Sequence, residues 1–472
     1  IGVHTAMQAS TPMLLFVGQV GLEHQGREAF QELDYRQVFG PIAKYATEIT
    51  DMSRTPEIIR RAWSMAISGR PGPVVIALPE DVLTQSAEIV IPSTPILAPK
   101  SAAVAADLEQ LAAKLQGAER PVILAGGGRW DAQDRRALQS CARQLNIPVV
   151  TGFRYHDLFD NTDPLFVGEA GVGMTANTKR LLTEADVILA VNLRFGEMTT
   201  NAFTLFGVDR GAQWIAQSHR SGDEFHKYVA PNLSMISDPA PLLDGLGARL
   251  EGVRMGQDPA WAQSARAGFK AAQTAKVQPS PVDMGVVTGI VQRLLPADAI
   301  VTNGAGNFAI WPNKFLQFSE HQRLLAPQSG AMGYGLPAAI AAKVAYPERC
   351  VVCFAGDGDF QMNCQELGAA LQTGARPIVL IVNNGSYGTI RMHQERHYPR
   401  RVSGTDMINP DFVTLARAYG FHGERIERTE DFADAFCRAL ASPTGAILDL
   451  NVAPEAITPT MTIKDLNALS DG

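Results

Sequence analysis

Short apolar runs that stop at glycine, proline or an acid recur along this chain, and each leads into a segment of helical length. "PMLLFVGQV", "GPVVIALPED", "RPVILAGGGRW", "ADVILAVNLRF", "RCVVCFAGDGDF" and "PIVLIVNNGSYG" are the clearest. A run without polar alternation offers no face to water, so it belongs to a strand covered on both sides, the signature of a parallel sheet. Helical segments such as "TPEIIRRAWSMAISG" and "DRRALQSCARQL" alternate with the runs and complete βα units. The first of these helices is expected to start at a Thr cap with Glu behind it and to stop at glycine.

At 472 residues the chain is too long for one core. The expectation is an α/β protein of three doubly wound parallel-sheet domains in series, over residues 1–90, 101–250 and 282–472. "IPSTPILAPKSAA" and the polar stretch Glu251–Pro281 read as the connections. The opening "IGVHTAMQASTPMLLFVGQV" reads as helix end, loop and strand, so the first domain is expected to begin upstream of Ile1.

Composition narrows the function. A net charge of -7 without a basic run argues against nucleic acid, and no apolar run approaches the roughly 18–20 residues of a membrane span. Five cysteines make no disulfide framework, which points to a reducing cytoplasm. Cys350 and Cys353 lie in a strand-like run and are expected to be core thiols on opposite faces.

The stretch "GDGDFQMNCQE" follows one buried run and "NNGSYG" follows the next. In a βαβ unit both loops emerge at the carboxyl ends of neighbouring parallel strands, where open α/β sheets bind ligands. Asp357 offers an anionic oxygen and Asn384 an amide oxygen, while the glycines leave the backbone open to close approach. Hard oxygens suit Mg²⁺, which keeps positions for phosphate and water. A helix expected from about Gln361 would add N–H groups for an anion. The guest expected from these groups is a diphosphate bridged by Mg²⁺; the plain alternative is an Asp357 that only caps the helix.

Gly356-Asp357-Gly358, the 24 residues 359–382 and then Asn383-Asn384 resemble the diphosphate-binding signature of thiamine-diphosphate (ThDP) enzymes, and the chain is similar throughout to their acetolactate synthase-like, 2-oxo-acid-using group. The resemblance implies that the three domains are pyrimidine-binding, central and diphosphate-binding. It implies Asp357, Asn384 and the Ser386 carbonyl as Mg²⁺ ligands, with Gly358, Asp359, Tyr387, Gly388 and Thr389 lining the cofactor. "NGAGNFAIW" is similar to the loop that caps the diphosphate and implicates Ala305, Gly306, Asn307 and Phe308; "SGAMGYGLPAA" implicates Gly330 and Met332, the latter holding the cofactor bent. "REAFQELD" resembles a stretch that places Phe30 and Gln31 near the active centre, and Lys44 stands where the group has a lysine at the substrate entrance. His393 and His397 lie where relatives carry substrate-facing or loop-closing residues, and His4 and His24 flank the first strand; solvent-facing or structural roles stand beside the functional ones for these histidines.

The implied activity is decarboxylation, carboligation or both on a 2-oxo acid, in a homodimer or homotetramer with shared active sites. The group's activating glutamate is expected upstream of Ile1, since Glu23, Glu28 and Glu32 do not sit in its pattern. A catalytically silent ThDP-binding or regulatory member is the alternative. A nicotinamide dehydrogenase is disfavoured because "GAGNFA" lacks the third glycine of its phosphate turn. "AGGGRW" and "VNLRFGEMTT" resemble FAD-binding members, whereas Gln217 and Ser218 in "QWIAQSHRSGDEF" stand where Asp is expected, so the sequence argues both ways on FAD.

Overall fold

The computed structural model describes residues 1–207 and 211–470. Among them, fifteen strands form three sheets. The first contains β1 (Met13–Gln19), β2 (Tyr45–Glu48) and β3 (Pro73–Pro79), in the order β1-β3-β2. The second contains β4 (Pro121–Ala125), β5 (Val149–Gly152), β6 (Phe166–Ala170), β7 (Val187–Val191), β8 (Trp214–His219) and β9 (Leu233–Ile236), in the order β6-β5-β4-β7-β8-β9. The third contains β10 (Ile300–Asn303), β11 (Arg323–Leu325), β12 (Val351–Gly356), β13 (Ile378–Asn383), β14 (His422–Ile426) and β15 (Ala446–Asn451), in the order β11-β10-β12-β13-β15-β14. Every pairing within these sheets is parallel.

Side-chain alternation shows why the strands are apolar throughout. In β12, Val352 and Phe354 enter one core while Val351, Cys353 and Ala355 enter another on the opposite face. In β4, Ile123 and Ala125 face one core, Val122 and Leu124 the other. Each sheet is thus covered on both sides, and a fully buried side chain such as Phe354 stabilises the fold by about 1.5–3 kcal/mol. Cys353 is buried and its thiol is pushed up to about 12 by burial. All five cysteines are free.

Three local expectations change. The helix Thr55–Ile67 starts with Thr55 inside it and Arg54 at the N-cap; Asp51 caps the short turn before it, accepting from Ser53 N. The stretch Glu251–Pro281 is not wholly connection, because Pro259–Ala271 is a helix that buries Trp261, Ala265 and Phe269 against the central sheet. Helix formation after β12 begins at Asp357, ends at Gln361 and resumes at Leu367–Thr373, so its first segment is too short to carry much of a dipole.

Candidate functional site

Chain order reverses in the third sheet between β10 and β12, which are neighbours although β11 intervenes in sequence. A crevice opens outside the carboxyl ends of strands at such a point. There the structure has a cavity of about 260 Å³. Ala305, Gly306, Asn307 and Phe308 line it from the loop after β10; Gly330 and Met332 from the loop before the helix Gly335–Ala345; Asp357, Gly358 and Asp359 from the turn after β12; Asn384, Ser386, Tyr387, Gly388 and Thr389 from the loop after β13. All fourteen residues that the sequence suggested for cofactor binding therefore share one wall. Trp311, Val382, Ile390, Val452, Ala456 and Ile457 add apolar lining.

Asp357 is buried. Burial pushes its carboxyl up, opposed by hydrogen bonds from Asn409, Gly358 and Gly385. Its Oδ1 accepts from Gly358 N (2.9 Å), and its Oδ2 from Gly385 N (2.8 Å) and Asn409 Nδ2 (2.7 Å). The bond from Gly385 joins the two signature loops directly, so Asp357 does more than cap a helix. The Asn384 side-chain oxygen accepts from Ser386 N (3.1 Å), and the Ser386 carbonyl accepts from Gly388 N (2.8 Å). Among the described residues no three His, Cys, Asp or Glu side chains are clustered for a metal. The donor set is instead one carboxylate, one amide oxygen and one carbonyl oxygen, all hard, which fits Mg²⁺ completed by phosphate and water.

A helix start other than the one expected from Gln361 also opens onto the cavity. The ten-residue helix Gly388–His397 opens onto the cavity with Gly388, Thr389 and Ile390, and its N-cap Tyr387 makes no side-chain cap bond. Its first-turn N–H groups and positive end suit a diphosphate. Thr389 Oγ1 accepts from Asn307 N (3.0 Å) and donates to Asn307 Oδ1 (3.1 Å), binding this helix to the loop after β10. Close packing explains the glycine that ends β12, since a Cβ on Gly356 would lie 2.8 Å from the Phe308 ring.

Four residues suggested for catalysis are not brought to this cavity within one chain. Phe30 is 89% exposed and Gln31 sits beside it at φ 68°. Lys44 donates to the carbonyls of Met65 (2.5 Å) and Ser68 (2.7 Å), where it closes the end of the helix Thr55–Ile67. His393 is exposed and stacks on His397, with ring centroids 6.3 Å apart. His4 lines a second cavity, of about 460 Å³, with Gln8, Arg154 and Arg194; His24 pairs with exposed Glu23. No glutamate lines the cofactor-sized cavity among the described residues.

Sequence reasoning missed Asn409, which bonds Asp357 and also Asn383 Oδ1 (2.8 Å), while its own Oδ1 accepts from Gln361 (2.9 Å). The segment around it folds back on the loop after β13, where the Thr405 carbonyl accepts from Ser386 Oγ (3.1 Å) and Tyr387 N (2.8 Å). Arg154 was missed as well.

The central sheet has its own reversal, between β4 and β7, and the second cavity opens beside it, lined by Gly127, Phe153 and Leu193. A Cβ on Gly127 would stand 2.0 Å from the Asn192 carbonyl oxygen, and one on Gly128 would stand 2.6 Å from that of Ala9. The glycines thus admit protein backbone. Beyond β8, buried Arg220 binds Asp238 Oδ1 (2.5 Å) and Asp134 Oδ2 (3.1 Å) as well as the Gly128 and Arg129 carbonyls. Asp134 and Asp238 are thus both paired with Arg220.

A parallel sheet whose glycine-rich loops and hard-oxygen groups line one cavity is an arrangement that suits ThDP, and comparison with known proteins gives that class. Residues 304–450 match the C-terminal TPP binding domain of thiamine pyrophosphate enzymes, and residues 108–246 match their central domain. The acetolactate synthase large subunit of Parasynechococcus marenigrum is 33% identical over 96% of this chain and 74% of its own length. The probable acetolactate synthase large subunit of Methanocaldococcus jannaschii is 30% identical (97% and 80%), and the acetolactate synthase isozyme 3 large subunit of Escherichia coli is 30% identical (93% and 78%). The chain belongs to the acetolactate synthase large-subunit family of thiamine pyrophosphate enzymes.

Proposed function

We propose that the protein is a ThDP- and Mg²⁺-dependent enzyme that decarboxylates a 2-oxo acid and joins the product to a second carbonyl compound, as an acetolactate synthase does. The observation that carries this is the convergence of all fourteen suggested cofactor residues on one cavity. Bound ThDP supplies carbanion stabilisation next to a carbonyl. The chain's residues do the holding. Asp357, the Asn384 oxygen and the Ser386 carbonyl bind the metal; the Gly388–His397 helix start and the Ala305–Phe308 loop take the diphosphate; Met332 supports the bend.

The domain roles follow as pyrimidine-binding (residues 1–90), central (101–250) and diphosphate-binding (282–472). Exposed Ile390 on the cavity wall, exposed Ile408 beside Asn409 and exposed Phe30 favour a homodimer or tetramer. A second copy would cover these side chains, and Phe30, Gln31 and Lys44 would approach the site across that boundary. The engaged carboxylates at Arg220 favour function without FAD. Five free thiols suit a reducing cytoplasm, and no helix among the described residues is long and apolar enough to cross a membrane.

Calorimetric titration with ThDP in the presence and absence of Mg²⁺ tests the cofactor, and product analysis with pyruvate tests the reaction. Mg²⁺-dependent binding and acetolactate are expected. Absence of ThDP binding would overturn the proposal, and acetaldehyde as sole product would replace carboligation by simple decarboxylation. Light scattering on active protein should show more than a monomer, and its absorption spectrum should lack a flavin band.

A further inference from the structure

Two loops line the cavity proposed for the cofactor: the one after β10, with Ala305–Phe308, and the one leading through Gly330 and Met332. Their backbones are tied by two oppositely charged, buried side chains. Asp359 Oδ1 accepts one N–H from each loop, from Ala305 (3.0 Å) and from Gly333 (2.9 Å). The Arg154 guanidinium donates to one carbonyl of each loop, through Nη1 to Pro327 and through Nη2 to Gly304 (3.5 Å). The neighbouring Gln328 reinforces this with a bond from its amide to the Phe153 carbonyl (2.9 Å). Gly304 must be glycine for the arrangement to close, because a Cβ there would lie 2.0 Å from Asp359 Oδ1.

Arg154 comes from a different domain, on the loop after β5. Its backbone sits at φ 60°, a left-handed conformation that a side chain this size rarely adopts, and Glu169 accepts its N–H to hold it there. Such strain persists where the surroundings require it and concentrates at functional sites. The guanidinium is nearly fully buried, and its Nε has no hydrogen-bond partner. Burial pulls its pKa down to about 10, leaving it charged at neutral pH.

We infer that Arg154 is a positioning residue. Paired through the backbone with Asp359, it clamps the diphosphate loop to the Met332 loop and so sets the distance between the cofactor's two anchors. The inference rests on reading the cavity as the ThDP site. A guanidinium fork reaches two carbonyls at once, which a lysine ammonium does with poorer geometry.

The test compares wild type, Arg154→Met and Arg154→Lys in ThDP titrations at saturating Mg²⁺, followed by Trp fluorescence since Trp311 lines the cavity, and in steady-state assays. Misplacing anchors by about 1 Å can cost on the order of 100-fold, so Arg154→Met should weaken ThDP binding about 10- to 100-fold. At saturating ThDP its kcat should fall at least about 10-fold, with KM for the 2-oxo acid changing less than about 3-fold. Arg154→Lys should recover part of the affinity and less of kcat, and it keeps the test valid if the Met variant does not fold. Either folded variant with ThDP affinity and kcat within about twofold of wild type, and only its melting temperature lowered, would overturn the clamp alone. Wild-type protein that does not bind ThDP would overturn the cofactor reading, and the clamp with it.

Discussion

Replacing Asn409 by Leu isolates the orientation of Asp357, the carboxylate proposed to bind the metal, from the carboxylate itself. Leu preserves the volume and removes three bonds: to Asp357 (2.7 Å), to Asn383 (2.8 Å) and from Gln361 (2.9 Å). A hydrogen bond to a charged group contributes about 1.5–3 kcal/mol, which at about 1.4 kcal/mol per decade is roughly a 10- to 150-fold change in binding. Losses of about 10- to 100-fold in metal affinity are common when a ligand's supporting partner is removed. Activity titrated with Mg²⁺ at fixed ThDP should therefore show the Asn409→Leu midpoint raised about 10- to 100-fold. kcat at saturating metal should stay within about threefold, because Asp357, Asn384 and Ser386 remain. The ratio of midpoints should also grow as pH falls. Burial already pushes the Asp357 carboxyl up and the bond from Asn409 opposes it, so without that bond protons compete better with the metal. A midpoint within about twofold of wild type at both pH 6 and pH 8 would refute the reasoning, since a bond to this buried carboxylate should exceed that.

Glu224 is buried between Arg70 (3.0 Å), Arg194 (3.4 Å) and Lys227 (2.8 Å), joining the first domain to the central one. Burial raises its pKa, but the Lys227 bond and the charges of Arg194 and Arg70 outweigh it and bring it from 4.5 to about 2. A depressed carboxylate stabilises the fold above its unfolded pKa, by about 3 kcal/mol for this shift. The difference in unfolding free energy between wild type and Glu224→Gln should be full at pH 7 and shrink between pH 4.5 and about 2; a pH-independent difference in urea melts would count against it. Gly356→Ala puts a methyl 2.8 Å from the Phe308 ring, and a stability loss of about 1–3 kcal/mol is expected by denaturant titration, partly restored by Phe308→Leu. Cys437 is exposed whereas Cys141 and Cys353 are buried with thiols pushed up to about 12. A thiol reagent should modify Cys437 quickly and the other two only on unfolding, with Cys437→Ser abolishing the fast phase.

The readable parts of this chain were those encoded locally. Strands such as Val351–Gly356 and Val187–Val191 are buried along their whole length, and burial on both faces writes a continuous apolar run that alternation cannot mimic. The loops that line the cavity were readable because they follow strand ends in sequence. What escaped was short, edge-placed or remote. β14 reads "HGERI" and occupies an edge of its sheet, and β11 is three residues at the other edge; a strand with one neighbour tolerates charge and leaves no pattern. Asn409 reaches Asp357 across 52 positions and Arg154 reaches Gly304 across 150. Neither spacing has a local period, and an isolated Asn or Arg in a loop carries no sign of its partner. The Thr55 cap failed for a related reason, because Asp51 had already supplied a cap four residues upstream.

The chain uses the same topological device twice, with a cavity at each place and different charge beside it. Both six-stranded sheets reverse strand order, between β10 and β12 in one and between β4 and β7 in the other, and glycines follow a strand flanking each reversal. In the third sheet the nearest carboxylates, Asp357 and Asp359, are held by N–H donors and by Asn409; the Arg154 charge reaches Asp359, while among the described residues no Lys or Arg forms an ion pair with Asp357. A buried anion in that state is costly unless a cation completes it, which is the physical demand that Mg²⁺ would meet. In the central sheet the corresponding carboxylates, Asp134 and Asp238, are already paired with Arg220, and the glycines are pressed against the Asn192 and Ala9 backbones. Topology therefore supplies a place for a ligand in both sheets, and what differs between them is the charge left beside it. Exchanging Arg220 for Ala would convert the second case toward the first. It should leave two buried carboxylates unpaired, destabilise the protein by about 3–5 kcal/mol, and make its melting temperature newly sensitive to divalent cations. A melting temperature that falls without acquiring that sensitivity would show that residual charge is not what separates the two sheets.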